Sequence, residues 1–584
     1  MTRLSARVYG SRHVLFAIVI ALLVATAVGL VNTRDMDSQV DSMFADLQKP
    51  GSPGCALGVY RNGGVLYSKG YGLASLELGA PITSETIFDI GSTSKQFTAA
   101  SILLLEQQGK LSVRDDVRKY IPELPDYSQH GEAPITILNL LNHTSGLRDY
   151  LVLLGLSGVN QDSVTTDDDA LALIVRQKGL NFAAGSKFSY SNTGFFLLSV
   201  IVKRASGMTL REFAAQRIFG PLGMTHTVFR DDHSMLIRHR ALAYEPGDKN
   251  AYKLNVSYYE QLGDGAVHTS IEDLAHWDEN FYSGRVGGKN FLETLQEQGK
   301  LNNGKTLEYA KGLFISNYRG LRVVRHGGAW GGYRAELLRF PDQHFSVACL
   351  CNLANANPEK RAERVAELYL HDVLKPEEAI GHEPHRTVVL MPAQMAALTG
   401  TYRNVSEENV VRVTMINGTL QAEMFGATFP LRALSATEFV PVNFSVPARV
   451  TFVVGSTNPM LKISGDETIT ADYLKVREFN PSADELAGLA GDYSSDELGV
   501  IYRLRVADGR LKLAEIAEAT GIPRTGVPAS TLRPVVADEF EIPDQGMNIY
   551  FHKDMQPIKG FELRAGGSRG IEFSRTHLAA PISF

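Results

Sequence analysis

Cysteine is nearly absent from this sequence: three residues, Cys55, Cys349 and Cys351, stand among 584. That count excludes a disulfide scaffold, and the spacing offers no C-x-x-C metal pair. Cys349 and Cys351 alternate within VACLCNL, which reads as a buried strand, so both are expected as core cysteines behaving as small hydrophobes. In an exported chain, three cysteines mean that core packing holds the fold with no disulfide needed. An excess of one charge is also missing. Lys and Arg total 58 against 64 Asp and Glu, a net charge of −6 spread along the chain. No long basic block follows the extreme N-terminus, which argues against a nucleic-acid partner. No HExxH occurs, and His268 and His276 form no tight ligand cluster, so neither a metal nor another cofactor is expected.

Long apolar runs are missing too, with one exception. Arg3, Arg7 and Arg12 precede an apolar stretch over 14–31, broken only by Thr26 and Gly29. A basic flank before an apolar stretch is an export signal, and its 18 residues sit at the short limit for a bilayer-spanning helix. Ala25-Thr26-Ala27 offers a small-residue cleavage site, so segment 1–36 is either a cleaved signal peptide or an uncleaved anchor. The positive flank directs the remaining chain out of the cytoplasm. The expectation is an exported, periplasmic protein, tethered to the inner membrane through 14–31 if that segment is retained.

What is present describes a globular chain: 44% hydrophobic and 21% charged residues. At about 150 residues per domain, the length suggests roughly four units. Two strand-like runs over 53–72 flank Asn62-Gly63, a hairpin turn signal. Helical spacing follows at 94–108, 134–142, 167–178, 192–205 and 209–219. Strand patterns return at 311–317, 321–326, 333–340 and 345–353, and a helix is expected at 357–373. Strands, then helices, then antiparallel strands is an α+β order. Pro376, Pro384 and Pro392 mark 376–392 as a linker. Beyond it lies an internal repeat. Gly400-Thr401-Tyr402 recurs as Gly491-Asp492-Tyr493, and Asn417-Gly418-Thr419-Leu420 as Asp508-Gly509-Arg510-Leu511, both at an offset of 91. Alternating polar and apolar residues around these turns predict two small antiparallel β-barrel-like domains, 393–480 and 481–584, with Tyr402 and Tyr493 in their cores.

Three elements carry chemistry. Ser92-Thr93-Ser94-Lys95 opens the 94–108 helix, placing a hydroxyl and an amine one turn apart. A serine needs a neighbouring base to become a nucleophile, and a buried lysine in a cationic setting can serve. The helix N-terminus adds backbone N–H groups for a developing oxyanion. On its own the tetrapeptide reads first as a serine cap on an amphipathic helix with an exposed lysine, and it is the context that reverses this reading. Tyr190-Ser191-Asn192 follows, just before an apolar helix; a tyrosine can relay protons and an asparagine amide can hold a substrate carbonyl. His326-Gly327-Gly328 follows in turn on a strand, where the small residues let a substrate backbone lie along the edge. His143-Thr144-Ser145-Gly146 reads as a turn after a helix, and Asp167-Asp168-Asp169 as a helix cap and first turn.

In this order and spacing the three elements resemble the serine β-lactamase and penicillin-binding-protein superfamily, in detail the class C β-lactamase-like serine hydrolases that include esterases and D-aminopeptidases. ITILNLLNHTSGL at 135–147, IFGPLGM at 218–224 and GDGAVHTSIEDLAHW at 263–277 extend the resemblance over about 37–375. It implies a β-lactamase-like catalytic domain there, an antiparallel sheet flanked by helices with a helical subdomain. Its roles carry over as Ser92 for the acylated nucleophile, Lys95 and Tyr190 for general base and acid, and Asn192 for orienting the acyl group. The strand His326, Gly327, Gly328, Ala329 would bind substrate, with the N–H groups of Ser92 and Ala329 as the oxyanion hole. His326 stands where β-lactamases and carboxypeptidases of the superfamily keep a lysine. A histidine near its reference pKa is mostly neutral at pH 7, so strong binding of a substrate carboxylate is in question unless Arg325 or Arg334 restores the charge.

The expected partner is therefore a small amide, peptide or ester. The ranking places D-aminopeptidase-like amidase and carboxylesterase activity level and β-lactamase activity third. A penicillin-binding or sensing protein with a long-lived acyl-enzyme is the alternative. The C-terminal units would cover the site and restrict substrate size, or mediate oligomerisation.

Overall fold

The computed structural model describes residues 35–576 apart from 131–132, 161, 377–387, 405–408, 425, 443–447, 456–458, 466–469, 519–528 and 553–557. The apolar run at 14–31 lies outside the described residues. Among the described residues no helix is long and apolar enough to cross a membrane.

Cys55–Arg61 (β1) and Gly64–Tyr71 (β2) form the first hairpin. Asn62 and Gly63 turn it with φ 53° and 76°, the two positive values that a tight two-residue turn requires. Five strands from much later in the chain complete the sheet: Tyr309–Ala310 (β3), Leu313–Tyr318 (β4), Leu321–Trp330 (β5), Tyr333–Phe340 (β6) and Phe345–Cys351 (β7). The order is β3-β4-β5-β6-β7-β1-β2, and the paired strands run antiparallel. Strands β1 and β7 are central and buried on both faces, which is why they read as continuous apolar runs rather than alternating ones. On β7, Val347, Cys349 and Cys351 pack toward the helix Pro358–Leu370, whereas Ala348 and Leu350 join the opposite core with Phe97 and Ile102.

The cysteine expectation is corrected here. Cys55 lies directly opposite Cys351 in the β1–β7 ladder and the two form a disulfide. Cys349 alone remains a free buried thiol. The partners are 296 residues apart, so only the sheet register brings them together.

Between β2 and β3 the chain is mainly helical. Lys95–Gln107 (α1), Tyr150–Leu156 (α2) and Asn192–Ser206 (α3) matter for the site, and Pro358–Leu370 is α4. The antiparallel sheet with helices on both faces is the α+β unit expected for this part of the chain.

Two β units follow. Short helices lead into each: Pro392–Leu398 (α5) and Ala483–Leu489 (α6). Pro392, read from sequence as the end of a linker, instead occupies the first turn of α5, where its missing N–H costs nothing. The first unit is a closed barrel of eight strands: Gly400–Asn404 (β8), Val410–Ile416 (β9), Thr419–Met424 (β10), Ala427–Ala433 (β11), Glu438–Pro441 (β12), Arg449–Val453 (β13), Met460–Ser464 (β14) and Thr470–Val476 (β15). The second runs Gly491–Ser495 (β16), Val500–Ala507 (β17), Arg510–Glu518 (β18), Ser530–Thr531 (β19), Arg533–Val536 (β20), Glu539–Ile542 (β21), Met547–Phe551 (β22), Gly560–Ala565 (β23) and Ser568–Arg575 (β24). Its nine-stranded order β19-β18-β17-β16-β24-β23-β22-β21-β20 places at opposite edges two strands separated only by Leu532, so the sheet curls almost shut.

Candidate active site

Gly91–Ser94 is a 3₁₀ turn that feeds into α1 and carries Ser92 at the sheet edge. Gly91 has φ 48°, and a Cβ there would lie 2.7 Å from the Ala329 nitrogen. Only glycine lets the turn approach β5 this closely. Gly328 is constrained in the same way, because a Cβ would sit 1.9 Å from the Ile90 carbonyl oxygen. The Thr93 hydroxyl donates to the His326 carbonyl at 3.0 Å and stitches the two elements together. Ser92 and Ala329 therefore lie on adjoining segments, as an oxyanion hole built from their N–H groups requires.

Lys95 is fully buried on the first turn of α1. Its three donors are spent on three acceptors: Ser92 Oγ at 3.0 Å, Asn192 Oδ1 at 2.9 Å and the Asp264 carbonyl at 2.6 Å. The ammonium also lies 4.9 Å from the centre of the Tyr190 ring. Ser92, Lys95, Asn192 and Tyr190 are thus brought together, although Lys95 meets the face of Tyr190 rather than its hydroxyl.

Asn192 opens α3, and Asp149 places it. One Asp149 oxygen accepts the Asn192 N–H at 2.5 Å and the other accepts the Leu151 N–H at 2.9 Å, so one carboxylate caps two helices. The Asp149 carboxyl is pushed up by burial, and these backbone donors and Lys95 pull it back.

His326 does not face the cleft. It is 3% exposed, with Nδ1 against the Gly327 carbonyl at 2.6 Å and Nε2 against the Tyr309 hydroxyl at 3.2 Å. Burial first, and then the charge of Lys95, push its pKa down to about 3, so the imidazole is neutral. His143, which sequence reading assigned to a turn, packs its ring 4.2 Å from that of Tyr190 and is likewise held low by burial and Lys95. Neither arginine considered as a substitute charge is directed into the cavity. Arg325 is tied to Glu336, Glu359 and Glu363, and Arg334 donates to the carbonyls of Gly331 and Tyr333.

Ser92, Asn192 and Ala329 line a cavity of about 100 Å³. Sequence reading missed most of its other walls: Tyr150, Asp89, Arg230, Asp264 and Trp330. Arg230 donates to the His233 carbonyl at 2.7 Å, and its charge acts on the buried Asp89 carboxyl beside it. Asp264 accepts a hydrogen bond from the Tyr150 hydroxyl at 3.1 Å, and burial pushes it up to about 7 against the pull of Lys95. Burial likewise raises Asp89 to about 6. The one sequence signal for Asp264 was its place between two glycines in GDGAVHTS.

A family model described as Beta-lactamase matches residues 40–371. The chain is similar to penicillin-binding protein 4* of Bacillus subtilis (strain 168), 31% identical over 404 residues that cover 64% of this chain and 86% of the relative. It is also similar to a D-aminopeptidase of Cereibacter sphaeroides, 30% identical over 324 residues, 55% of this chain and 60% of the relative. Among solved structures, an octameric penicillin-binding protein homologue from Pyrococcus abyssi aligns with a TM-score of 0.53 at 23% identity, covering 76% of this chain and all of that one, and supports the fold.

Proposed function

The chain belongs to the beta-lactamase family and is a serine hydrolase, and on that premise we propose that it is exported and cleaves amide or ester bonds of small substrates through an acyl-enzyme at Ser92. The observation that carries this reading is the Ser92 hydroxyl bonded to Lys95, with Asn192 on the same ammonium, at the wall of a small cavity. Ser92 Oγ attacks the substrate carbonyl carbon when Lys95 has given up one proton; the neutral amine then takes the serine proton, and the Lys95–Tyr190 pair passes it on to the leaving group. The N–H groups of Ser92 and Ala329 hold the oxyanion. The leaving group departs with a proton, and water then releases the acyl group and restores Ser92.

D-Aminoacyl amides or peptides and carboxylic esters rank level as substrates. The D-aminopeptidase relative and the neutral His326 both favour them over penicillin-type carboxylates. The penicillin-binding relative favours a second reading, a long-lived acyl-enzyme with a β-lactam. A panel of nitrocefin, a p-nitrophenyl ester and D-alanine p-nitroanilide separates these. Turnover of the ester or the anilide is expected; turnover of nitrocefin alone reverses the ranking, and labelling by a fluorescent penicillin without product release favours the second reading. Ser92→Ala should abolish every turnover, and surviving activity would remove Ser92 as nucleophile. Export rests on the basic-then-apolar 1–36 segment and is checked by cell fractionation. The octameric homologue is consistent with oligomerisation, which light scattering reads, and whether the C-terminal units mediate it is read by the same measurement on their surface variants.

A further inference from the structure

One buried charge pair joins the second β unit to the catalytic unit. The side chains of Arg148 and Glu497 are each 3% exposed, and Nη1 lies 2.5 Å from Oε1. Arg148 directs its other donors largely to the same β unit: Nε to the Arg569 carbonyl at 2.7 Å and Nη2 to the Gly570 carbonyl at 2.8 Å. Nη1 also reaches Gln177 Oε1 at 2.8 Å. Glu497 Oε1 takes the Lys178 N–H at 2.7 Å, so the carboxylate bridges two segments of the catalytic unit. At the far end of α2, the Tyr502 hydroxyl donates to the Leu156 carbonyl at 2.7 Å.

The turn held this way is the one that builds the cavity wall. Immediately after Arg148 come Asp149, which fixes the Asn192 N–H, and then Tyr150 and Leu151, which line the cavity beside Ser92. The Thr193 hydroxyl donates to the Arg148 carbonyl at 2.7 Å and itself accepts the Tyr150 N–H at 2.7 Å. A buried ion pair is a weak source of net stability, since apolar residues of similar size often do as well. What it supplies is a fixed geometry, because the four guanidinium hydrogen bonds, to Glu497, Gln177 and the carbonyls of Arg569 and Gly570, constrain the planar fork from both units.

We propose that Arg148 and Glu497 are positioning residues, through which the second β unit holds the turn at 148–151 and sets how tightly the cavity receives the acyl group. The nature of that acyl group rests on the hydrolase reading above. The pair acts on the wall and makes no contact of its own with Ser92 or Lys95, which it reaches only through Asp149 and Asn192.

The test uses the full chain with Glu497→Gln, which keeps the shape and removes the charge, and Arg148→Lys, which keeps the charge and shortens the reach. For either variant KM for the best substrate of the panel is expected to rise at least about tenfold while kcat changes less than about threefold. Amide hydrogen exchange over 149–153 is expected to accelerate at least about tenfold while α1 stays protected. Asp496→Asn is the control: it removes the neighbouring exposed pair with Lys178 and should move neither readout. KM and exchange both within about twofold of the parent overturn the proposal, and so does a kcat loss at constant KM. Faster exchange with unchanged KM makes the pair a strut and overturns it too. If a fluorophosphonate fails to label Ser92 in the parent chain, the hydrolase reading fails, and exchange over 149–153 decides the clamp by itself.

Discussion

Tyr402 and Tyr493 sit 91 residues apart and make the same bond. Each is buried, and each donates its hydroxyl at 2.8 Å to the carbonyl of the residue four positions back, Leu398 and Leu489, at the end of a short helix. Asn417-Gly418 and Asp508-Gly509 turn corresponding hairpins with positive φ. Yet the two units are seated differently. The barrel keeps its own core, with Leu420, Phe439 and Phe452. The core of the second unit runs continuously into the catalytic unit, Tyr502 and Leu504 joining Leu153 and Leu156. The position at the same offset of 91 from Glu497 in the first copy is Ser406, so the residue that pairs with Arg148 is not one the repeat shares. Shared residues build the unit, and unshared ones decide what it docks against.

The contact between the two β units differs again. Arg403–Glu539, Arg412–Glu541 and Arg533–Glu423 span it, each at 2.5 Å and with at least one partner partly open to solvent. The largest expected break in the comparison is Glu497→Ala. It strands Arg148 without its carboxylate and should cost about 3–5 kcal/mol, read as a lowered unfolding midpoint of the catalytic and second β units together. Next, Tyr402→Phe and Tyr493→Phe should each cost about 0.5–1.5 kcal/mol in their own unit. Clearly unequal losses would mean that the matching bonds do not do matching work. Arg533→Ala, at a pair 36% and 26% exposed, should cost about 0.2–1 kcal/mol. That loss should fade near ~1 M salt, where the screening length falls to about 3 Å. A loss that persists there would give this interface the buried character of the Arg148 contact.

The smallest effect concerns pH. Arg533 holds Glu423 low, so its contribution is present above the ordinary value of 4.5 and is lost as pH falls through the lowered pKa. Burial raises Glu539 despite Arg403, so its contribution is present below 4.5 and is lost as pH rises through the raised pKa. The slopes oppose each other. Glu423→Gln removes the first slope, so its thermal midpoint relative to the parent should fall with rising pH through the weakly acidic range, as the parent gains a contribution that the variant lacks. Midpoints that rise instead would contradict the assigned directions.

Much of this was legible in the chain because it is local. The Asn62-Gly63 hairpin, the helix after Ser92, and the repeat of Tyr402 and Tyr493 follow from turn chemistry, helical period and alternation, each carried by neighbouring residues. Order along the chain also pointed to Ser92, Lys95 and Asn192, which the fold brings onto one ammonium. His326 was legible as a departure, but its withdrawal from the cleft was not, since that depends on Tyr309 packing from another strand. Asp264 was marked only by its place in GDGAVHTS and Arg230 by nothing, and they border the cavity only through the tertiary fold.

By itself the sequence determined which segments could form helices, strands and tight turns, and which side chains could act as nucleophile and base. Tertiary structure alone decided that Cys55 meets Cys351, that burial neutralises His326, and that Glu497 reaches back to Arg148. Local preferences act over a few residues, whereas these outcomes depend on register and packing between separate segments, hundreds of residues apart for the disulfide and the Arg148–Glu497 pair, where small shifts in strand pairing would change the partners.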